Sequence, residues 1–235
     1  MKIKIQREEL CEYEVTSNDA TLLEILNEIK TTQDSSLTFA SGCRSSVCGS
    51  CAVRVNGREV LACSFHVQDG DIVEPLKNSE VIRDLVVNMD KALEFNAKAK
   101  AYQSSTCRDV SLSPDDEKIN EVQSDCILCS SCYSACPVYA VNPEFLGPFA
   151  LTRVWRYVSD KREVDNKEKI DTIQTNGVWD CTLCNECTLV CPQGISSKTD
   201  IEKLRARSSL AGYMDPSFAN FGGSFGSGFD GSPSF

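Results

Sequence analysis

Histidine is nearly absent from this chain of 235 residues: His66 is the only one. That argues against the Cys2His2 class of zinc site and against most acid–base chemistry, because imidazole is the usual proton handler near neutral pH. Positive charge is short as well. Lys and Arg number 24 against 34 Asp and Glu, a formal net charge of −10, so neither nucleic acid nor an anionic lipid surface finds the basic footprint it needs. No stretch approaches the roughly 18 consecutive apolar residues of a membrane span, and no direct span is expected. The opening Met1-Lys2-Ile3-Lys4-Ile5-Gln6 alternates charged and apolar residues as a strand does and contains no apolar signal core.

Cysteine is what the chain has in quantity, 14 in all. Cys126, Cys129, Cys132 and Cys136 precede Pro137, and Cys181, Cys184, Cys187 and Cys191 precede Pro192, so C-x2-C-x2-C-x3-C-P occurs twice with identical spacing. This is the ligand run of two-cluster ferredoxins, in which three thiolates hold one cubane and the fourth crosses to the other. The expected sets are Cys126, Cys129, Cys132 and Cys191 for one 4Fe-4S cluster, and Cys136, Cys181, Cys184 and Cys187 for a second. Cys43, Cys48, Cys51 and Cys63 read C-x4-C-x2-C plus a distant Cys, the plant-type 2Fe-2S arrangement. Gly42, Ser45, Ser46, Gly49 and Ser50 supply the small residues and free amides such a loop needs. A disulfide framework fits poorly with thiols two residues apart, and a zinc ribbon would need two separate C-x2-C knuckles. Ser130, Ser131 and Ser134 are candidates to donate hydroxyl hydrogen bonds to cluster sulfurs, with solvated helix positions as the plain alternative. Cys11 and Cys107 fit no ligand pattern and read as buried small hydrophobes, and His66 as a surface or interface residue.

Periodicity divides the chain into an α+β arrangement. Residues 1–98 read as a β-grasp 2Fe-2S domain of the plant ferredoxin type. Ile3 and Ile5 with Tyr13 and Val15 suggest a first hairpin. A helix carrying Leu22, Ile25, Leu26 and Ile29, capped by Ser17 or Asp19, packs on it. Asn56-Gly57 marks a second hairpin, and Asp71–Pro75 a last short strand. Residues 99–209 read as an all-α domain holding two clusters, reached through a helical linker over Lys91–Tyr102. Ser113-Pro114 opens a helix, and another runs over Pro148–Val158. Residues 210–235 form a Gly/Ser/Phe-rich tail, either flexible or docked as a strap on a partner.

A β-grasp ferredoxin followed by a two-cluster helical ferredoxin resembles the iron-sulfur subunit of succinate dehydrogenase and fumarate reductase. The likeness runs to about Arg207. It is carried by Gly42-Cys43-Arg44, Cys48-Gly49-Ser50-Cys51-Ala52, Val81–Met89, Cys126-Ile127-Leu128-Cys129, and Asn142-Pro143 leading to Gly147-Pro148. The resemblance implies an electron-relay subunit with no catalytic residue of its own. It would work between a flavoprotein, which alone carries FAD, and a membrane-side, quinone-linked subunit. It would lie peripherally on the cytoplasmic membrane, on the cytoplasmic side, or on the periplasmic side if exported with the flavoprotein. The alternative is the iron-sulfur subunit of a thiol- or heterodisulfide-linked flavin dehydrogenase.

Two departures from the common family members bear on this. They lack the second Cys of the second run and hold a 3Fe-4S cluster there, whereas Cys184 completes the run here. A second 4Fe-4S is therefore expected, with 3Fe-4S at the Cys136 set as the alternative. They also place Trp and His in the quinone pocket where this chain has Val141 and Thr182. Together these features resemble the branch whose partner is a cysteine-rich, heterodisulfide-reductase-like subunit.

Overall fold

The computed structural model describes residues 1–16 and 19–219. The expectations for Ser17 as a cap and for most of the tail lie outside the described residues. The first half contains β1 (Lys2–Gln6), β2 (Leu10–Glu14), α1 (Leu22–Thr32), β3 (Ala52–Val55), β4 (Arg58–Leu61), β5 (Ile72–Glu74), β6 (Val81–Arg83) and β7 (Val86–Val87). The second contains α2 (Asp90–Lys98), α3 (Pro114–Lys118), α4 (Glu121–Ser124), α5 (Ser131–Ser134), α6 (Pro137–Val141), α7 (Pro148–Val158), α8 (Asn166–Thr172), α9 (Glu186–Leu189), α10 (Ser197–Leu210) and α11 (Pro216–Ala219). The result is α+β, as expected.

The main sheet runs β2-β1-β5-β3-β4, with β1 and β5 parallel and the other pairs antiparallel. Alternation in β1 buries Ile3 and Ile5 completely, and α1 lays Leu22, Leu23, Ile25, Leu26 and Ile29 on the same face. Each such side chain contributes about 1.5–3 kcal/mol when fully buried. Thr21, not Ser17 or Asp19, caps α1. Its hydroxyl accepts from the Glu24 amide, and the Glu24 carboxylate accepts from the Thr21 amide at 2.8 Å. The β3–β4 turn is made by Asn56 at φ 49 and Gly57 at φ 82, the left-handed pair a two-residue hairpin demands.

The helical half has its own core. The expected linker is a helix over Asp90–Lys98, but it is packed rather than free: Phe95, with Ala92, is buried in the hydrophobic core of the helical half. Its ring stacks on Tyr133 and meets Tyr139 edge-on, while Phe149 closes on Tyr133 at 4.6 Å between centroids. Such pairs add about 0.5–1.5 kcal/mol each beyond their area. Gly147, at φ 83, lies against the Tyr133 ring, so only a residue without a Cβ fits there. Beneath α8, Lys169 and Glu163 form a buried ion pair at 3.3 Å, with Ser104 as a further partner of both. Helices α7 and α10 pack together and frame the cysteine loops.

Candidate iron-sulfur centres

The Cys43–Cys51 loop is shaped by left-handed residues, Arg44 at φ 59, Ser46 at φ 58 and Gly49 at φ 72. Successive turns of this kind aim backbone amides inward, as an anionic core requires. The amides of Ser45, Val47 and Cys48 each lie 3.3 Å from Cys43 Sγ, the Cys43 amide 3.3 Å from Cys48 Sγ, and the Ser46 amide 3.3 Å from Cys63 Sγ. A Cβ at Gly42 would stand 2.8 Å from Cys48 Sγ, so that position needs glycine. The Ser50 hydroxyl, followed by the Cys43 amide, draws the Cys48 thiol down to about 6, whereas burial pushes Cys51 up to about 11. Amides turned toward sulfur and a glycine-tight wall fit an iron-sulfur core.

The two cysteine runs repeat one backbone design. Leu128 and Ser130 have φ 54 and 60, and their counterparts Leu183 and Asn185 have φ 56 and 73. Cys129 and Cys184 therefore stand at the same place in the same turn. Cys136 opens α6 and accepts from the Tyr139 amide, while Cys191 accepts from the Ile195 amide, each at 3.4 Å.

The fourth cysteine of each run leaves its own run. Cys191 lines one cavity with Cys126, Cys129 and Cys132. Burial pushes Cys132 well up, and the sulfurs of Cys129, Cys126, Cys187 and Cys191 add to it. Cys136 is also raised by burial, and there the added repulsion comes from Cys181 and Cys184. Burial takes Cys187 up to about 12, and the nearby sulfurs of Cys181 and Cys136 add to it. The cavity lined by Cys126, Cys129, Cys132 and Cys191 also takes in Ser130, Ser131, Phe149 and Thr152. The Ser130 hydroxyl lines the first cavity, is buried and has no partner, which suits a bond to a bridging sulfide.

The three sites are physically joined. A Cβ added at Gly49 would lie 2.8 Å from Cys129 Cβ and 2.9 Å from Ile127 O, so the first loop touches the second directly. Gln193, two residues past Cys191, donates to Ser46 O at 3.2 Å. Cys129 is buried there, while Cys184, its equivalent, is exposed.

Other sequence expectations fare differently. The Ser131 hydroxyl lies 3.4 Å from Cys129 Sγ, but Ser134 turns away from sulfur and donates to Glu59 at 2.7 Å. Cys107 is exposed rather than buried, held by Gln103 and Ser104, and Cys11 is only partly buried. His66 is at the surface, 3.4 Å from Asp19. Val141 and Thr182 are both exposed. Arg205 has no motif to announce it. It donates to Val178 O at 2.8 Å, Trp179 O at 3.3 Å and Cys181 O at 2.6 Å, and so fixes the second run from α10.

Sheet, loops and crossed cysteines define an iron-sulfur protein, and comparison with known families agrees. Residues 2–94 match the family described as "2Fe-2S iron-sulfur cluster binding domain", and residues 122–195 match the "4Fe-4S dicluster domain". The 8-methylmenaquinol:fumarate reductase iron-sulfur subunit of Wolinella succinogenes is 37% identical over 207 residues, 82% of this chain and 65% of that one. The fumarate reductase iron-sulfur subunit of Escherichia coli O6:H1 is 35% identical, over 84% of this chain and 85% of that one. A chain of the Mycobacterium smegmatis Sdh1 complex in the apo form shares the fold with a TM-score of 0.82 at 24% identity, covering 92% of this chain and 98% of that one. The chain belongs to the iron-sulfur subunit family of the fumarate reductases and succinate dehydrogenases. Its role is that of an electron relay, and the thiol-linked alternative is not favoured.

Proposed function

We propose that the chain carries three centres in a row and passes single electrons along them, with no substrate chemistry of its own. Cys43, Cys48, Cys51 and Cys63 hold a 2Fe-2S cluster. Cys126, Cys129, Cys132 and Cys191 hold a 4Fe-4S cluster. Cys136, Cys181, Cys184 and Cys187 hold the third centre, a second 4Fe-4S, because Cys184 shares the turn geometry of Cys129. The observation that carries this reading is the crossing of Cys191 to the first run, together with the Gly49 contact that seats the 2Fe-2S loop on the same cubane. The β-grasp unit ends ahead of α2, near residue 89 rather than 98, because Ala92 and Phe95 of α2 pack in the core of the helical unit, which runs to about 209.

A flavin moves two electrons and clusters move one, so a relay of this kind belongs beside a flavoprotein that holds FAD and handles succinate and fumarate. The 2Fe-2S domain faces that partner. At the other end, Cys184 is open to solvent where its twin is covered, and Val141 and Leu189 are exposed, 84% and 60%. The next carrier docks there, a cysteine-rich or membrane-side subunit linked to quinone. No helix among the described residues is long and apolar enough to cross a membrane, so the chain is held peripherally by that subunit. EPR of the oxidised and reduced complex, with iron and sulfide assay, tests the assignment. An oxidised 3Fe signal with about nine irons would assign the Cys136 set to 3Fe-4S; about eight irons or fewer would remove a centre.

A further inference from the structure

The β-grasp sheet has a second face, turned away from α1. Arg54 on β3 pairs across to Glu59 on β4 and to Glu74 on β5, with ion-pair distances of 3.4 and 3.3 Å. Both Arg54 and Glu59 are buried, which is costly for charges unless something specific holds them. Ser134 of the helical domain does: its hydroxyl donates to Glu59 Oε1 at 2.7 Å and accepts from the Lys77 amide at 2.8 Å. One residue on, Asn78 in a left-handed conformation donates its carboxamide to Tyr133 O at 2.9 Å, Ser134 O at 3.1 Å and Cys136 O at 3.4 Å. The β-grasp domain thus grips both the side chain and the terminal carbonyls of α5.

That helix is where the two cubane sets meet, because Cys132 and Cys136 stand two residues to either side of Ser134. We propose that Glu59 is a positioning residue of the relay: through Ser134, and with Asn78 beside it, it fixes the helix shared by both cubanes against the domain that carries the 2Fe-2S centre. The inference rests on the ligand sets proposed above. It accounts for a buried Arg54–Glu59 pair, a kind of interaction that well-packed hydrophobic residues often replace without loss of stability. The gain is registration: tunnelling of one electron, with no bond made and no proton moved, depends on the distance between donor and acceptor, and the Glu59–Ser134 bond holds that distance. The hydrogen bonds from Glu59, Lys77 and Asn78 converge on the C-terminal turn of α5 and tie that turn to the sheet domain.

The test uses the iron-loaded chain in its complex and four variants: Glu59→Ala, Glu59→Gln, Ser134→Ala and Asn78→Ala. The readout is the spin–spin interaction between the reduced 2Fe-2S centre and the reduced Cys126-set cubane, with iron and sulfide measured alongside. Glu59→Ala and Ser134→Ala are expected to weaken that interaction at unchanged cluster content. Glu59→Gln, which keeps an oxygen for Ser134 to bond, is expected to retain it, and Asn78→Ala to lose part of it. An interaction left intact in Ser134→Ala and Asn78→Ala overturns the inference, also where Glu59→Ala does not load iron. So does a loss in Glu59→Gln as large as in Glu59→Ala, which would make the charge and not the bond the cause. Absence of a cluster from the unmodified chain would instead overturn the ligand sets, and the inference with them.

Discussion

Replacing Gly49 by alanine strikes the contact on which the proposed electron path depends. The residue sits at φ 72, a region that costs an L-residue roughly 1–2 kcal/mol. The new Cβ would also stand 2.8 Å from Cys129 Cβ and 2.9 Å from Ile127 O. Carbon contacts settle near 3.5–4.0 Å, so the two cysteine loops must part by several tenths of an ångström or more. Neither obstructing atom is the end of a flexible side chain, and crowding of this kind costs about 1–3 kcal/mol. The sum is about 2–5 kcal/mol, equivalent to a fall of roughly 4–20 °C in the unfolding midpoint of a chain this size. Gly70→Ala is the control: φ is 86, but nothing lies within 4 Å, so only the backbone cost applies. The assay is heat-induced bleaching of cluster absorbance at one scan rate, ranking the two variants against the unmodified protein. If Gly49→Ala bleaches no earlier than Gly70→Ala, the 2Fe-2S loop does not rest on Cys129 and the path has a gap.

Cys184→Ser should leave two centres intact and convert or shift the third, visible as a new oxidised three-iron EPR signal; an unchanged spectrum would show that Cys184 binds no iron. Arg205→Gln removes a cation beside Cys181 and loosens its grip on three carbonyls, so the third centre's reduction potential should fall while the 2Fe-2S potential stays put in a redox titration. Burial lifts the Asp200 carboxyl to about 6, against which the Gln123 side chain works. The folded chain therefore holds a proton that the unfolded chain has released, and stability present below about pH 4 is lost as pH rises through 6, by about 3 kcal/mol. Urea midpoints across that range should slope downward in the native chain and flatten in Asp200→Asn. Lys169→Ala strands Glu163 in the interior and should cost about 3–5 kcal/mol in the same urea experiment.

Local signals in the sequence go far, and where they stop is physically instructive. Asn56-Gly57 and the apolar spacing of α1 were legible because one turn type and one helical stripe satisfy them. The repeated spacing, with a proline after each fourth Cys, pointed to the neighbourhood in which Cys191 lines a cavity with Cys126, Cys129 and Cys132. The cap of α1 was missed: Ser17 or Asp19 was expected there, whereas Thr21 with Glu24 three residues on carries the capping-box pattern. Ser134, Gly49 and Arg205 were not legible. Each acts across more than twenty residues, Ser134 on Glu59, Gly49 on Cys129 and Arg205 on Cys181, and nothing near them in sequence distinguishes a hydroxyl aimed at sulfur from one aimed at a carboxylate. Leu128 and Leu183 press the point further. A leucine at positive φ contradicts its own preference, and the two occur at matching places in the two runs. Such strain persists only where the surroundings over-determine it, so its repetition supports the proposal that Cys184 is a ligand as Cys129 is, on grounds other than spacing.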